Sequence, residues 1–525
     1  MRTLHVALAL LVLAGAVLHA DTTTLQPTLD PALRDSFRLT GGTWEFRDGE
    51  FEQTNPARLT AAIMTDPAFS DTRLTVDFRI HPTGNGVRAA ALVLRATGTL
   101  TYYWVHLDSK HHNIILTRST PQKMWFELTR RGCPALTEDA WHTVVAEIKG
   151  GEIVVSLDGA EVVRAKDDTI AAGRIGVGTS QGQVSFRNLK IEGEKIAMAE
   201  PLKDETPPYK IISQGEASGT YQAFPDACRL QNGDIMVVFY GGYGHVSLPN
   251  DQWPKGGRIC TVRTSDEGRT WTQPRVIYDD DQDNRDPHIA ELKDGTLICS
   301  FFKYWRVEGK TRYVSMITRS TDGGATWEPA GQPVTPEMWA VSAPVRELPD
   351  GTLILGVYSG ESYGGIVRST DHGKTWCEPI PIGKEAKLPL DAETDFVLLK
   401  DGTLYAALRS SSINMHYATS PDLGLTWSPV QDIGFKAHAP HFTRLSTGEI
   451  LMTHRIPNTA LHVSRDEAKT WQGPYVIDNV GGAYPATVEL KDASVLAIYY
   501  EEGEGSAIRA LRFKLKADGI DWLGW

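Results

Sequence analysis

The residues that could do chemistry recur at fixed distances from a series of hairpin turns. Six two-residue turns each separate two apolar runs, and they are Asn232-Gly233, Asp294-Gly295, Asp350-Gly351, Asp401-Gly402, Thr447-Gly448 and Asp492-Ala493. Asn-Gly and Asp-Gly pairs between apolar runs are the strongest short-range signal for a β-hairpin. Because each turn marks one end of a hairpin, the residues at the opposite end are found by counting along the two strands.

Counting brings carboxylates, arginines and tyrosines to the same end of these hairpins. Nine residues before the second turn residue, four of the units have Asp286, Ser342, Glu393 and Tyr484. Seven residues after it, the six units have Tyr240, Phe302, Tyr358, Arg409, Arg455 and Tyr500. Guanidinium groups bind anions through forked hydrogen bonds, and a tyrosine becomes a usable nucleophile when a neighbouring base takes its proton. The pattern predicts one polar site at the end of the hairpins away from the turns.

A second repeat indicates which elements position that site. Five segments share the pattern Ser/Thr-x-Asp-x-Gly-x-Thr-Trp, with Ala468 replacing the glycine in the last, and they lie at 264–271, 320–327, 369–376, 420–427 and 464–471. The Asp and Ser/Thr side chains tie a turn to its own backbone, and Gly supplies a positive φ. We expect these segments at the end opposite the polar site, where they would be structural.

The two repeats together predict the architecture of residues 209–525. A unit of about four strands cannot close its own core, so successive units must pack around an axis. Six hairpins predict a six-bladed β-propeller. The sixth unit lacks the Asp-containing segment, and a strand at 209–212 is placed to complete it.

Residues 31–193 have a different pattern, which predicts a separate all-β domain. Apolar and polar residues alternate over 74–80, which is typical of a half-buried strand, and Asp158-Gly159 predicts a hairpin within 152–163. The order of strands resembles the concanavalin-like jelly-roll domains of secreted carbohydrate-active proteins. We predict a jelly-roll β-sandwich that assists binding or stability without catalysing, followed by a charged, proline-ended linker at 194–208.

The Asp-containing segments resemble the Asp boxes of sialidases (neuraminidases), and residues 209–525 resemble the sialidase catalytic propeller. The stretch from Glu393 to Arg409 is similar to the one that supplies the glutamate partner of the nucleophile and the second arginine of a three-arginine cluster. Tyr484 opens a stretch similar to that of the nucleophilic tyrosine, and Arg455 is placed like the third arginine. The resemblance implies an exo-α-sialidase-like glycoside hydrolase that removes a terminal acidic sugar from a glycan.

The chain departs from the sialidase pattern at the start of the propeller. Sialidases usually have Tyr-Arg-Ile-Pro there, whereas this chain has Tyr221-Gln-Ala-Phe-Pro-Asp226. Arg285 in the next unit is a candidate replacement, and Gln222 and Asp226 are candidate substrate-binding residues. The acid/base aspartate is expected on the loop 241–257, where Asp251 is the only aspartate and His245 is also present, and Asp286 is a second candidate acid.

Two other functions are compatible with this sequence. The propeller could act on a uronic or neutral sugar as a hydrolase or lyase, or it could bind carbohydrate without catalysis, because fold alone does not imply function. Lys and Arg total 53 against 65 Asp and Glu, a net charge of −12, which argues against a nucleic-acid partner. The five cysteines contain no CxxC pair, and His438 with His441 lacks a third ligand, so we expect neither a metal nor a cofactor.

The first twenty residues have the composition of a secretory signal. Arg2 precedes an apolar run over 6–18 and then small residues, with cleavage expected after Ala16 or Ala20. No other stretch is long and apolar enough to predict a membrane span, so we predict a secreted or periplasmic protein. The sequence does not predict an oligomeric state.

Overall fold

The structure is a computed structural model of the 525-residue chain. It describes residues 22–525 except 56–58, 84–86, 122, 199, 216, 457, 479, 481 and 503–505. The predicted signal at 1–20 lies outside the described residues, and secretion stays a prediction. Within the described part of the chain, no helix is long and apolar enough to cross a membrane. The chain divides into two compact units, Met1–Thr206 and Pro207–Trp525.

The N-terminal unit is built from antiparallel strands. Its strands in the described residues are β1 Thr22–Leu25, β2 Phe37–Leu39, β3 Trp44–Arg47, β4 Glu50–Gln53, β5 Thr60–Ile80, β6 Ala89–Ala96, β7 Tyr102–Asp108, β8 Asn113–Thr120, β9 Lys123–Gly132, β10 His142–Lys149, β11 Glu152–Leu157, β12 Ala160–Lys166, β13 Gly173–Ser180 and β14 Val184–Ile196. A short 3₁₀ helix spans Pro31–Ser36. The predicted hairpin at Asp158-Gly159 is confirmed as β11 paired with β12.

The long strand β5 connects the parts of this sheet. Its first half pairs with β2 and β13, whereas its second half pairs with β10 and β14. Burial alternates along β10, as the sequence pattern of a half-buried strand requires. Tyr102, Tyr103 and Trp104 of β7 are buried, with Tyr103 and Trp104 in clusters on opposite faces of the strand. These aromatic side chains therefore belong to the core.

The segment predicted as a linker, 194–208, is partly held by the N-terminal unit. Strand β14 continues to Ile196, and Lys203 forms a β-bridge with Gly98. The buried Glu205 carboxylate accepts hydrogen bonds from the Leu100 amide and the Thr101 hydroxyl. The charged residues of this segment thus have specific partners, which its composition did not indicate.

The C-terminal unit consists of short strands joined by hairpins. Its strands in the described residues are β15 Lys210–Ser213, β16 Tyr221–Arg229, β17 Ile235–Gly242, β18 Arg258–Thr264, β19 Arg275–Tyr278, β20 Asp283–Glu291, β21 Leu297–Val307, β22 Lys310–Ser320, β23 Gln332–Pro333, β24 Trp339–Val341, β25 Arg346–Glu347, β26 Leu353–Ser359, β27 Tyr363–Ser369, β28 Ile380–Ile382, β29 Ala392–Leu398, β30 Leu404–Arg409, β31 His416–Ser420, β32 Gln431–Asp432, β33 His438–Arg444, β34 Ile450–Arg455, β35 Thr459–Ser464, β36 Gln472–Asp478, β37 Gly482–Glu489, β38 Val495–Glu501, β39 Ile508–Leu515 and β40 Ile520–Leu523. A 3₁₀ turn spans Lys384–Ala386.

Each of the six predicted turns joins two antiparallel strands. The pairs are β16–β17, β20–β21, β25–β26, β29–β30, β33–β34 and β37–β38. These hairpins lie in five hydrogen-bonded sheets within the described residues, because one parallel contact between β22 and β24 joins the second and third units into a nine-stranded sheet. The all-β fold is confirmed, and the count of six blades stays a prediction.

The last sheet is completed by the first strand of the same unit. Strand β15, near the start of the unit, pairs antiparallel with β39, near its end. The sheet therefore runs in the order β15-β39-β38-β37, with β40 on the same side of β39 as β15. This pairing joins the two ends of the unit, so its closure depends on residues about 300 positions apart in sequence.

Candidate active site

In five units, the first strand of the hairpin is interrupted by a β-bulge at the end away from the hairpin turn. Register shifts occur in β16, β20, β29, β33 and β37. The residue nine before the turn lies within each bulge, and four of these residues have a positive φ, namely Phe224 (52°), Asp286 (49°), Ala439 (53°) and Tyr484 (40°). Bulges redirect side chains and are frequent beside active sites. Here they set the direction of the side chains at the counted positions.

Three of these bulges, those of β20, β29 and β37, contribute residues to the lining of a cavity of about 350 Å³. Its lining residues are His245, Arg285, Asp286, Phe302, Tyr304, Tyr313, Ala340, Tyr358, Asp391, Glu393, Arg409, Arg455 and Tyr484. Asp286, Glu393, Tyr484, Arg285, Arg409 and Arg455, six of the residues proposed from sequence, are therefore brought together. Two acidic residues, three arginines and a tyrosine face one space, which is the composition expected for a site that binds and transforms an anionic ligand.

A direct hydrogen bond joins the predicted nucleophile to its predicted base. The Tyr484 hydroxyl donates to Glu393 Oε1 at 2.6 Å. Both carboxylate oxygens of Glu393 also accept from Arg409 Nη1, at 2.5 and 2.6 Å. Arg409 thereby fixes the carboxylate in the orientation that receives the phenol proton. This geometry matches a nucleophile held by a base that a third group orients.

The surroundings move the pKa values of this pair apart. Burial raises the pKa of Tyr484 well above its usual value, and the Glu393 carboxylate raises it further. Burial opposes ionisation of Glu393, but Arg409 and then Arg455 outweigh it and lower the pKa of this carboxyl. The proton therefore resides on Tyr484 in the resting site, and Glu393 is free to accept it when the tyrosine oxygen forms a new bond.

Three guanidinium groups keep unused hydrogen-bonding capacity toward the cavity. Arg455 lies 4.7 Å from the Tyr484 ring centroid and donates to its hydroxyl at 3.4 Å. The buried Nε atoms of Arg285, Arg409 and Arg455 have no hydrogen-bond partner among the described residues. A buried donor without a partner is costly unless a ligand or water satisfies it. The three guanidinium groups, which line the cavity, are therefore candidate contacts for an anionic group.

Asp286 and Arg285 form the second charged pair of the cavity. Asp286 is 5% exposed, and its Oδ1 has no hydrogen-bond partner among the described residues. Burial raises the pKa of Asp286, although Arg285 opposes this effect. Burial disfavours the charged form of Arg285, but the carboxylates of Asp286 and Asp283 outweigh it and raise the arginine pKa. Arg285 lies between the Phe224 and Phe302 rings, 5.5 and 5.6 Å from their centroids.

Three residues proposed from sequence lie elsewhere. Gln222 is fully buried and donates to the backbone carbonyls of Gly215 and Gly219, so it supports a loop. Asp226 is buried between His288 and His441, which approach its carboxylate to 3.2 and 3.0 Å. Asp251 is exposed and does not line the cavity. These are corrections: Gln222 and Asp226 point into the packed interior, and the aspartate on the loop faces solvent.

The structure adds residues that counting did not identify. His245 lines the cavity and contacts Tyr221 and Glu502. Asp391 and Tyr304 also line the cavity. Asp391 lies two residues before the counted position Glu393, and Tyr304 lies two residues after the counted position Phe302. His438 lies close to two arginines of the cavity. Burial, and then Arg409 and Arg455, lower the pKa of His438 to about 4. Of the three lining residues His245, Asp391 and Tyr304, only His245 was indicated by the sequence, through its place on the loop 241–257.

The two histidines considered as metal ligands belong to different surroundings. His441 contacts Asp226, and His438 lies beside the arginines of the cavity. Among the described residues, no group of three His, Cys, Asp or Glu side chains has an arrangement that could hold a metal ion. The cavity residues themselves fit proton transfer and anion binding.

Comparison with known families agrees with this division. Residues 254–497 match the family model of the BNR repeat-like domain, and residues 33–192 match that of the 3-keto-alpha-glucoside-1,2-lyase-like domain. A search of curated protein sequences finds no match. The C-terminal unit is thus similar to BNR repeat-like domains, and the N-terminal unit is similar to 3-keto-alpha-glucoside-1,2-lyase-like domains.

The chain is similar to several solved structures at low sequence identity. The Hadza microbial sialidase Hz136 is 16% identical, covers 87% of this chain and 96% of its own, and has a TM-score of 0.50. A point mutant of the NanB sialidase from Streptococcus pneumoniae is 14% identical over 85% and 95% of the two chains, with a TM-score of 0.49. A protein of unknown function from Dyadobacter fermentans is 22% identical over 59% and 98%, also with a TM-score of 0.49.

Proposed function

We propose that the protein is a glycoside hydrolase that removes a terminal acidic sugar from a glycan. The observation that carries this proposal is the hydrogen bond of 2.6 Å from the Tyr484 hydroxyl to Glu393, in a cavity that also contains three arginines. Tyr484 is the nucleophile and Glu393 its base. Arg409 and Arg455 bind the carboxylate of the sugar, and Arg285 supplies the third positive charge.

The choice of a tyrosine follows from the charge of the substrate. In a ketoside with a carboxylate on its anomeric carbon, a carboxylate nucleophile would be repelled, whereas a neutral phenol can approach. Tyrosine nucleophiles are a known exception to the two-carboxylate rule of glycosidases. Because its pKa is raised, Tyr484 is neutral before reaction and needs Glu393 to remove its proton.

The reaction then proceeds in two displacements. The Tyr484 oxygen bonds to the anomeric carbon while its proton moves to Glu393, and the bond from that carbon to the leaving oxygen breaks. The leaving oxygen takes a proton from an acid. Water then attacks the anomeric carbon and gives a proton to the conjugate base of that acid, Tyr484 leaves, and Glu393 returns the proton to the tyrosine oxygen. Arg455, within reach of the same oxygen, stabilises the negative charge that it gains on departure.

One observation favours a second class of substrate. No arginine occupies the start of the first propeller unit, where Gln222 is fully buried and bonded to backbone. Arg285 reaches the cavity from the next unit instead and is flanked by Phe224 and Phe302. A different position of the third cation favours an acidic sugar whose carboxylate or ring differs from that of sialic acid, such as a uronide.

A panel of synthetic glycosides tests the proposal. The purified protein is incubated with 4-nitrophenyl sialosides, uronides and neutral glycosides, and release of the chromophore is measured. We expect turnover of at least one acidic glycoside, none of the neutral ones, and loss of that turnover in Tyr484→Phe. Activity confined to neutral sugars, or undiminished in Tyr484→Phe, contradicts the proposal. Binding of acidic glycosides without turnover would instead support a non-catalytic carbohydrate-binding protein.

A further inference from the structure

The proposed reaction needs a proton donor for the leaving group, and the structure offers His245 for this role. Asp251, on the same loop, is exposed and does not line the cavity, whereas His245 does. Asp286 also lines the cavity, but it is only 5% exposed and lies beside Arg285 and Glu393. The His245 side chain is 56% exposed, so it lies where a leaving group can reach solvent.

One side of the His245 ring lies against a hydrogen-bonded group formed by Tyr221, Tyr500 and Glu502. His245 Nδ1 lies 3.0 Å from the Tyr221 hydroxyl and 3.7 Å from Glu502 Oε2. The Tyr221 hydroxyl donates to Glu502 Oε1 at 2.6 Å, and the Tyr500 hydroxyl donates to Oε2 at 2.9 Å. Because the Tyr221 proton is used toward Glu502, the Tyr221 oxygen can accept from His245 Nδ1–H.

This arrangement leaves the other ring nitrogen available. Among the described residues, no hydrogen bond to His245 Nε2 is formed, and the ring meets Phe224 edge to face at 5.2 Å between centroids. A catalytic imidazole is oriented by a hydrogen bond at one ring nitrogen, which leaves the other nitrogen for the reacting atoms. Tyr221, itself bonded to Glu502, holds Nδ1 in this way, and Nε2 remains for a ligand.

Most of the charged groups around His245 are carboxylates. Glu502 is anionic: burial opposes this, but hydrogen bonds from His245, Tyr221 and Tyr500 lower its pKa to about 2. Asp283 and Asp286 also interact favourably with a charged His245. Arg285, across the same cavity, acts in the opposite direction. Three carboxylates and one arginine therefore surround the His245 ring.

We propose that His245 is the acid/base residue of this site and that Glu502 is its positioning residue. The inference rests on the proposed function. As the glycosidic bond breaks, the Nε2 proton moves to the leaving oxygen and the imidazole becomes neutral. In the second displacement, Nε2 takes a proton from the attacking water while the bond from the anomeric carbon to Tyr484 breaks. The histidine thereby returns to its starting state.

The test compares leaving groups that differ in their need for an acid. A methyl glycoside must be protonated as it leaves, whereas a 4-nitrophenyl glycoside of the same acidic sugar leaves as a stable anion. For His245→Gln we expect kcat/KM to fall about 100-fold or more on the methyl glycoside, the usual contribution of a general acid, and by only a few-fold on the nitrophenyl glycoside.

A matched histidine serves as the control. His111, in the N-terminal unit, is 55% exposed and also contacts a carboxylate, with its Nδ1 2.7 Å from Asp108. His111→Gln should leave both substrates unaffected. In Glu502→Gln, kcat on the methyl glycoside should fall while KM stays unchanged, because the Tyr221 hydroxyl that holds His245 Nδ1 loses its anionic partner, and Glu502→Asp should restore part of the loss. An unchanged kcat in Glu502→Gln overturns the positioning role of Glu502.

The outcomes separate this inference from the proposed function. One outcome overturns the role of His245 and leaves the proposed function standing. In that outcome the wild-type protein is active and Tyr484→Phe is not, but His245→Gln loses the same activity on both glycosides or loses none on either. If the wild-type protein cleaves no acidic glycoside, the proposed function is overturned and the acid/base role with it. A loss confined to the methyl glycoside supports both.

Discussion

The two ends of the propeller hairpins are both rich in aspartate, but their polar atoms are used differently. At the turn end, each Asp-box aspartate bonds to its own turn: Asp266 accepts from the Thr264 hydroxyl, the Thr270 amide and the Thr270 hydroxyl at 2.6–2.9 Å. The same contacts recur at Asp322, Asp371, Asp422 and Asp466. Here a repeated sequence gives a repeated structure.

At the bulge end, the units differ from one another and their contacts run between units. Tyr484 of β37 donates to Glu393 of β29, and Arg455 of β34 reaches the same tyrosine. Several polar atoms there, including the Asp286 Oδ1 and three arginine Nε atoms, have no partner among the described residues. Satisfied, repeated polar groups stabilise a fold, whereas buried unsatisfied ones indicate a place for a ligand. Substitutions at the two ends should therefore affect different quantities.

The largest effect is expected at the nucleophile. Tyr484→Phe should lower kcat on the order of 1,000-fold or more, because the attacking oxygen is removed, while substrate binding measured by calorimetry is nearly unchanged. Glu393→Gln should have a similar effect, and the double variant should be little worse than either single one, since the pair acts as a unit. A Tyr484→Phe protein that retains the wild-type kcat on a good substrate would overturn the assignment of Tyr484 as the nucleophile.

A smaller effect is expected for the arginines that bind the anion. Replacing Arg409 or Arg455 by Lys keeps the charge but removes the forked geometry. We expect a loss of about 1.5–3 kcal/mol in transition-state binding, the range for a hydrogen bond to a charged group, seen in kcat/KM on the best acidic substrate. Since Arg409 also orients Glu393, Arg409→Lys should additionally lower kcat. Unchanged kinetics in both variants would argue against an acidic substrate.

At the opposite end, an Asp-box substitution should change stability and leave turnover intact. Asp266→Ala removes three hydrogen bonds within one exposed turn, and we expect about 1 kcal/mol of destabilisation, as for the loss of a capping side chain. Chemical denaturation measures this change, and kcat should remain at the wild-type value. A large loss of kcat in a stably folded Asp266→Ala protein would remove the distinction between the two ends.

The same aspartate should make part of the stability dependent on pH. Burial opposes ionisation, but hydrogen bonds from Thr270 and Thr264 outweigh it and lower the pKa of Asp266 to about 2, below the value of ~3.9 for an unfolded chain. A depressed folded-state pKa gives stability that is present above the unfolded pKa and is lost as the pH falls through the folded pKa. The stability difference between wild type and Asp266→Ala should thus shrink between about pH 4 and pH 2, as measured by denaturation at several pH values.

The smallest effect is expected from removing the N-terminal unit. The C-terminal unit, Pro207–Trp525, contains its own hydrophobic clusters and all the residues that line the cavity. A shortened protein that starts at Pro207 should therefore fold and keep its turnover of a soluble nitrophenyl substrate. A folded but inactive shortened protein would show that the N-terminal unit takes part in catalysis.

The sequence by itself determined the hairpins and the end at which the chemistry lies. A two-residue turn fixes the register of its two strands, so a constant number of residues leads from the turn to the opposite end. This is why counting reached Asp286, Glu393, Tyr484, Arg409 and Arg455, all of which line one cavity. The Asp boxes were equally predictable, because their hydrogen bonds lie within a few residues of one another.

Only the tertiary structure decided which polar side chains near that end face the cavity. Side chains alternate between the faces of a strand, and a bulge changes the alternation where it occurs, so Gln222 and Asp226 turn inward although they flank the correct position. His245 and Glu502 are 257 residues apart and meet because the first and last sheets of the unit pack against each other. A contact of that separation depends on how the sheets pack around the axis, and no local pattern encodes it.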